Sequence, residues 1–306
     1  MKKIVIGTVF SALLVSVPVY AFDDGHGAIQ AYVEDSGVYY APEDVHPKAA
    51  EQLGAARERY EATPDDADAL VWYGRRMGYT GDYRAAIGIF TLGIEKHPGD
   101  PRMYRHRGHR YISVREFDKA IADLEKAADL IKGTENVIEP DGMPNAKGIP
   151  VSTLHGNIWY HLGLAYYLKH DWDNALRAYT EARKASRLDD NIVSTTHWLY
   201  MILRRMGREE EAREAVSMIT TDMDVIENFG YYELCKMYAG LQTLEETIEN
   251  SPGGIQGAGV SYGVLNWYLY SGRPNDAAEL MDEFLNGKGW AAFGYIAAEV
   301  DRAIYR

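Results

Sequence analysis

The sequence is nearly without cysteine: Cys235 stands alone among 306 residues. No intramolecular disulfide can form, and no C-x-x-C pair exists to hold a metal or exchange disulfides. H-E-x-x-H and G-x-S-x-G are absent too, which removes the common sequence signs of a zinc hydrolase and of a serine hydrolase. After the first twenty residues nothing approaches the roughly 20 apolar residues that a spanning helix needs. Positive charge is scarce, with 32 Lys and Arg against 45 Asp and Glu, a formal net charge of −13. Such a balance disfavours nucleic acid and anionic lipid as partners. The glycine-rich stretch 250–259 lacks the Lys-Ser/Thr of a phosphate loop and follows no strand pattern, so it reads as a flexible loop. Cys235 falls in an apolar helical run, Phe229 to Leu241, and reads as a packed thiol rather than a nucleophile. The expectation is a protein without catalytic residues, metal or cofactor.

What is present is a repeat. Trp159, Leu162, Gly163 and Tyr166 stand at W-x2-L-G-x2-Y, and Ala175 and Tyr179 follow at A-x3-aromatic. Counting from Ala67 gives Gly74, Ala86, Phe90 and Pro98 at matching positions, and counting from Pro101, 34 residues on, gives Gly108, Tyr111, Ala120 and Leu124. Weaker copies start near Val193 (Leu199, Leu203, Ala212), near Glu227 (Leu234, Met237) and near Ala258 (Tyr268, Gly272, Ala277, Met281). The small residues let two helices approach closely, and the large ones form a stripe at i, i+3, i+4, i+7 that must be buried. Pro98 stops a helix, since proline cannot continue the hydrogen-bond ladder.

These motifs resemble the tetratricopeptide repeat, a helix–turn–helix unit of about 34 residues that buries its apolar face by stacking on copies of itself. The resemblance covers residues 67–290. It implies an all-α, right-handed α-solenoid of about six helix pairs, whose first helices line a concave groove that receives an extended peptide or a partner helix. Pro47 to Ala62 reads as an N-terminal capping helix, and Trp290 to Tyr305 as an amphipathic C-terminal cap.

The remaining segments have their own readings. Residues 1–21 have the form of an export signal: Lys2 and Lys3, the apolar run Ile4 to Val17, and a small-x-small site at Val19-Tyr20-Ala21 with cleavage after Ala21. An uncleaved anchor is the rival reading. No cysteine follows the site to accept a lipid. The protein is expected in the periplasm, or else secreted, with no membrane insertion after signal removal, and loss of Lys2 and Lys3 takes the net charge from −13 to −15. Residues 22–46 read as an irregular, extended arm, and residues 47–306 as the solenoid. Residues 133–151, rich in glycine and proline, interrupt the repeat as an insertion, either a solvated surface loop or a flap over one rim of the groove. Asp222, Asp224 and Glu227 are read as the acidic start of a helix.

Carried over residue by residue, the resemblance assigns Arg75 and Tyr79 of the first copy to the groove, Arg102, Arg105 and His109 of the second, and Tyr160 and Tyr167 of the third. His197 and Arg204 of the fourth and Tyr262 of the sixth complete the set. This list is basic and aromatic within an acidic chain. Arginine suits carboxylates, and tyrosine offers an apolar face with a polar tip. The expected partner is therefore a protein or peptide with acidic and hydrophobic elements, unless these charges are an ordinary solvated helix face. The Lys/Asn arrangement of the family's carboxylate-clamp members is missing, so that specific tail recognition does not carry over. His106 and His109 have a chelating spacing, but Arg102, Arg105, Arg107 and Arg110 surround them and oppose a cation. The sequence thus points to a non-enzymatic interaction scaffold. The alternative is a small-molecule-binding accessory of envelope transport, with Tyr160, Tyr167, Met201 and Tyr262 enclosing the ligand.

Overall fold

The computed structural model describes residues 27–34, 36–251, 254–287 and 289–305. The expected export signal lies outside them, as do residues 22–26 of the expected arm. Among the described residues no helix is long and apolar enough to cross a membrane.

The chain opens on an antiparallel hairpin of β1 (Ile29–Val33) and β2 (Gly37–Tyr40). This corrects the reading of 22–46 as an irregular arm. Besides its own pairing, the hairpin is tied to the solenoid: buried Gln30 donates to Asp82 and accepts from the Arg84 backbone N–H. Helix α1 (Pro47–Ala62) then caps the stack, with proline in its first turn, where no N–H is needed.

Six helix pairs follow among the described residues: α2 (Ala67–Tyr79) with α3 (Tyr83–Lys96), α4 (Pro101–Ser113) with α5 (Phe117–Leu130), α6 (Leu154–Leu168) with α7 (Trp172–Ala185), α8 (Asp189–Arg205) with α9 (Glu209–Val216), α10 (Phe229–Tyr238) with α11 (Leu244–Glu249), and α12 (Gly254–Tyr270) with α13 (Pro274–Leu285). Helix α14 (Phe293–Tyr305) closes the chain. The result is an all-α solenoid with a cap at each end. The turn inside every pair puts one residue in the left-handed region: Gly81, Arg115, His170, Gly207, Gly240 and Gly272. Aspartates 66, 82, 100 and 171 cap the helices that follow them.

The signature glycines mark the closest helix contacts. A Cβ on Gly74 would lie 2.5 Å from the Phe90 ring, and one on Gly163 2.5 Å from the Tyr179 ring. Both rings are buried. Gly163→Ala should therefore destabilise the protein by about 1–3 kcal/mol through overpacking. Urea unfolding would read this as a lower midpoint at unchanged slope, and an unchanged midpoint would mean that α6 and α7 are farther apart than described.

Two loop readings need correction. Residues 250–259 are not a loop throughout, because α12 starts at Gly254. Packing overrides the low helix propensity of its glycines: a Cβ on Gly263 would meet Leu234 at 2.4 Å, so only glycine lets α12 pack this closely on α10. Asp222, Asp224 and Glu227 do not begin a helix, since α10 starts at Phe229. Buried Asp190 ties their loop down instead, accepting from the backbone N–H groups of Ile226, Glu227 and Asn228 at 2.7–2.9 Å.

Candidate functional site

The face formed by the first helices of the pairs is largely covered by the chain itself. Helix α14 lies against α12 and α6, and the reason is legible in its stripe Gly294, Ala297, Ala298, Asp301. A Cβ on Gly294 would come within 2.5 Å of the Ala258 carbonyl oxygen, so glycine sets the approach. Asp301 is fully buried, and its Oδ2 accepts from Arg205 Nη2 at 2.6 Å and from the Tyr262 hydroxyl at 2.9 Å. His170 Nε2 lies 3.1 Å from Oδ1. Two residues back, Glu299 accepts from Arg115 Nη2 at 2.6 Å and from the Tyr39 hydroxyl of the hairpin. Arg115 and His170 are also the two turn residues that adopt positive φ without being glycine, at 64° and 54°. Each costs about 1–2 kcal/mol against glycine. Arg115 holds the Glu299 carboxylate and His170 lies beside that of Asp301, so the strain sits where these side chains face α14.

The insertion covers the other end. Most of its residues are exposed, as in a surface loop, yet it is tied to the helix pairs at several points. Glu139 is buried, with its Oε2 3.3 Å from Arg105 Nε and its Oε1 3.2 Å from His106 Nε2, and it accepts from Asn157 at 2.8 Å. Burial alone would raise the Glu139 pKa, but the Arg105 charge and the His106 and Asn157 contacts outweigh it and hold the carboxyl below the usual range. The carbonyls of Pro140 and Gly142 accept from Arg75 and Arg76 of the first pair at 2.8 and 2.7 Å. Farther on, Asn145 donates to Glu227, and Lys147 pairs with Asp224 before the fifth pair. The insertion therefore straps the first pair to the fifth.

These contacts relocate the residues assigned to an open groove. Arg105 (8% exposed), Tyr167 (1%), His197 (1%) and Tyr262 (0%) are buried. Tyr167 and Tyr262 meet hydroxyl to hydroxyl at 2.7 Å beneath α14. His197 stacks between Tyr231 and Tyr238. His109 packs against His161 and Phe293. Tyr79 lies under Gly142, and Arg75 holds Pro140. Arg102 is engaged by Asp100 and Asp68, and Arg204 covers the Tyr270 ring. Nor do Tyr160, Tyr167, Met201 and Tyr262 enclose a pocket, because Asn266 fills that space, 2.5 Å from the Tyr167 hydroxyl and 3.0 Å from Met201 Sδ. Much of this basic, aromatic face is satisfied in cis: Glu139 lies against Arg105, Glu299 takes Arg115, Asp301 takes Arg205, and Asp68 and Asp100 take Arg102. Charge reversal at Arg105 would be a folding lesion, not a test of binding.

Part of this face stays open among the described residues. A cleft of about 260 Å³ lies between α6, α8 and α10, with Ala182, Ala185 and Ser186 of α7 at its floor. Val151 to Thr153 of the strap and Phe293 form its rims. Of the assigned residues only Tyr160 lines it. Its hydroxyl accepts from Trp198 Nε1 at 2.7 Å and faces that of Tyr231 at 3.5 Å. His161 Nδ1 lies 2.6 Å from the Asn157 carbonyl, which only accepts, so Nδ1 carries the proton. Burial, then the charge of Arg105, pushes the His161 pKa down to about 3, which leaves its Nε2 an acceptor at neutral pH. Asn157, Asn191, Ser194, Thr195 and Asn228 supply amides and hydroxyls, and the Asn191 side chain makes no hydrogen bond among the described residues. Glu227 is the one charged carboxylate on the walls, and burial raises its pKa. Among the described residues no group of three or more His, Cys, Asp or Glu is placed to hold a metal. Cys235 is buried beside the Val193 carbonyl, and burial pushes its thiol pKa up, which suits packing rather than attack.

The six helix pairs, their glycine contacts and their left-handed turns give this chain a helical-repeat fold of the tetratricopeptide (TPR) type. No family model matches the chain. Solved structures with some likeness include YrrB, a TPR protein with an unusual peptide-binding site, at 17% identity over 76% of this chain and 92% of that one, with a TM-score of 0.43. MamA matches at 17% identity over 53% of this chain and 81% of its own, with a TM-score of 0.42. These likenesses are distant, and the fold assignment rests on the helix pairs themselves.

Proposed function

We propose that this protein is a non-enzymatic interaction scaffold of the bacterial envelope, working in the periplasm, and that it holds a short extended polypeptide segment in the cleft on α6, α8 and α10. The cleft carries the reading. Its amides and hydroxyls match the donors and acceptors of a peptide backbone, while Tyr160, Tyr231 and Phe293 offer apolar surface to a side chain. The hydrophobic element of the expected partner is kept. The acidic element is not supported here, because Arg102 and Arg105 have carboxylates in cis, Arg75 is turned to the Pro140 carbonyl, and no arginine lines the cleft. Placement in the periplasm rests on the signal-like segment at residues 1–21.

The cleft's bounded shape favours a second reading, a small molecule. Its volume is close to the roughly 300 Å³ at the lower end of ligand pockets. Native mass spectrometry of the protein purified gently from its own host separates the two. A bound peptide or second chain supports the scaffold, and an adduct of a few hundred daltons supports the small ligand. Ser194→Trp fills the cleft and should abolish either. An adduct that survives Ser194→Trp would remove the cleft from consideration, and bare wild-type protein would count against it as a binding site.

A further inference from the structure

We propose that a second cavity, between α2 and α4, binds a small oxyanion of the phosphate class. This cavity has a volume of about 110 Å³, against roughly 30 Å³ for a water in the liquid, and it is lined by Arg75, Arg105 and Arg110 with Phe90, His106 and His109. It lies on the far side of Glu139 from the cleft, so its fate is independent of the peptide reading.

Two donors inside it lack an acceptor. Arg105 is 8% exposed, and its Nε is buried without a hydrogen-bond partner; the nearest oxygen, on Glu139, is 3.3 Å away. Arg75 Nε is likewise buried and unpartnered. Arg110 has no carboxylate within ion-pair distance among the described residues; its guanidinium sits 4.9 Å over the Tyr83 ring and contacts His109. The imidazoles add no charge that would alter this count. Burial, followed by the neighbouring arginines, holds the pKa of His109 far below its ordinary value, and that of His106 at about 3. Three guanidiniums thus face one carboxylate in ion-pair range, Glu139. Asp141 offsets Arg75 from beyond ion-pair distance, which leaves the excess positive charge around Arg105 and Arg110 and calls for an anion that can take several charge-assisted hydrogen bonds. The donors arrive from two helices and different directions, which suits a tetrahedral oxyanion better than a planar carboxylate. Glu139 already supplies the carboxylate, and it competes for Arg105.

Phosphate stabilises proteins in general by exclusion from their surface, so the test is a titration and not a melt. Inorganic phosphate is titrated into the protein by calorimetry, with chloride as control at equal ionic strength. The expected result is saturable binding of one phosphate per chain, weakened at least tenfold by Arg110→Gln. Glu139→Gln, which removes the competing anion, should strengthen binding several-fold, and it keeps the proposal testable if Arg110→Gln fails to fold. A parallel titration with phosphoserine identifies the source. Binding of phosphate alone assigns the free ion, and equal binding of phosphoserine assigns a phosphoryl group on a larger molecule. No binding beyond chloride, or an affinity that neither variant changes, overturns the proposal.

Discussion

Asp301→Ala should lower the thermal midpoint by about 10 °C and free α14. The carboxylate is fully buried and takes hydrogen bonds from Arg205 and Tyr262. Removing one member of a buried pair leaves the other charge unpaired, which typically costs about 3–5 kcal/mol. For a chain of this size each kcal/mol is worth about 2–4 °C. The size of the effect comes from Arg205, whose side chain is 5% exposed and would face a hole instead of a carboxylate. A double variant separates pairing from packing. Arg205→Met with Asp301→Leu replaces the pair by apolar volume and should recover most of the loss. A shift of less than about 2 °C in Asp301→Ala would mean that α14 is not held in the groove by this contact.

Acidification from pH 7 to pH 5 should cost on the order of 5 kcal/mol of stability. His106, His161 and His197 are 6%, 5% and 1% exposed. Burial pushes the pKa of each down to about 3, with the charge of Arg105 adding to it at His106 and His161. In the unfolded chain a histidine titrates near 6.5. Below about pH 6.5 the unfolded state therefore takes up protons that the native state refuses, and each histidine costs about 1.4 kcal/mol per pH unit until the folded value is reached. The contribution is full above pH 6.5 and is lost as pH falls. Glu139 acts in a lower window: its depressed pKa gives stability that is present above the ordinary carboxyl range and lost as pH falls below it. Urea midpoints at pH 7 and pH 5 would show the loss, and His197→Phe should remove about a quarter to a third of it, since His109, also pushed far down by burial, adds to it. Equal midpoints would mean that these histidines reach water.

The repeats were legible because their spacing is a packing rule. Gly74 with Phe90, Gly108 with Leu124 and Gly163 with Tyr179 are contacts in the structure, as the periodicity requires. Helices α1 and α14 were legible from a first-turn proline and an apolar stripe, but the packing of α14 into the first-helix face, rather than only over the stack's end, was not. The hairpin was missed although Ile29, Tyr32, Val33, Val38, Tyr39 and Tyr40 are strand-favouring residues on either side of Gly37; what the sequence did not show is that Gln30 gains its partners from Asp82 and Arg84. The groove assignment missed for a physical reason: repeat positions say which residues line the first-helix face, but not what covers it. One signal was available. Asp301 falls on the apolar stripe of the last helix, at i+7 from Gly294, and an acid on a buried stripe demands a cation elsewhere in the chain. The cleft residues Asn191, Ser194 and Tyr231 carried no such mark. Nor did Glu139, an acid in a glycine- and proline-rich loop.

Hydrogen–deuterium exchange read by mass spectrometry tests the central claim, that the chain fills most of its own groove and leaves a cleft. The account predicts slow exchange of the α14 amides, at rates like those of α6 and α12, with Asp301→Ala accelerating α14 alone. Rapid exchange of α14 in the wild-type protein, at the rate of an unstructured tail, would contradict it and return Arg205, Tyr167 and Tyr262 to an open groove.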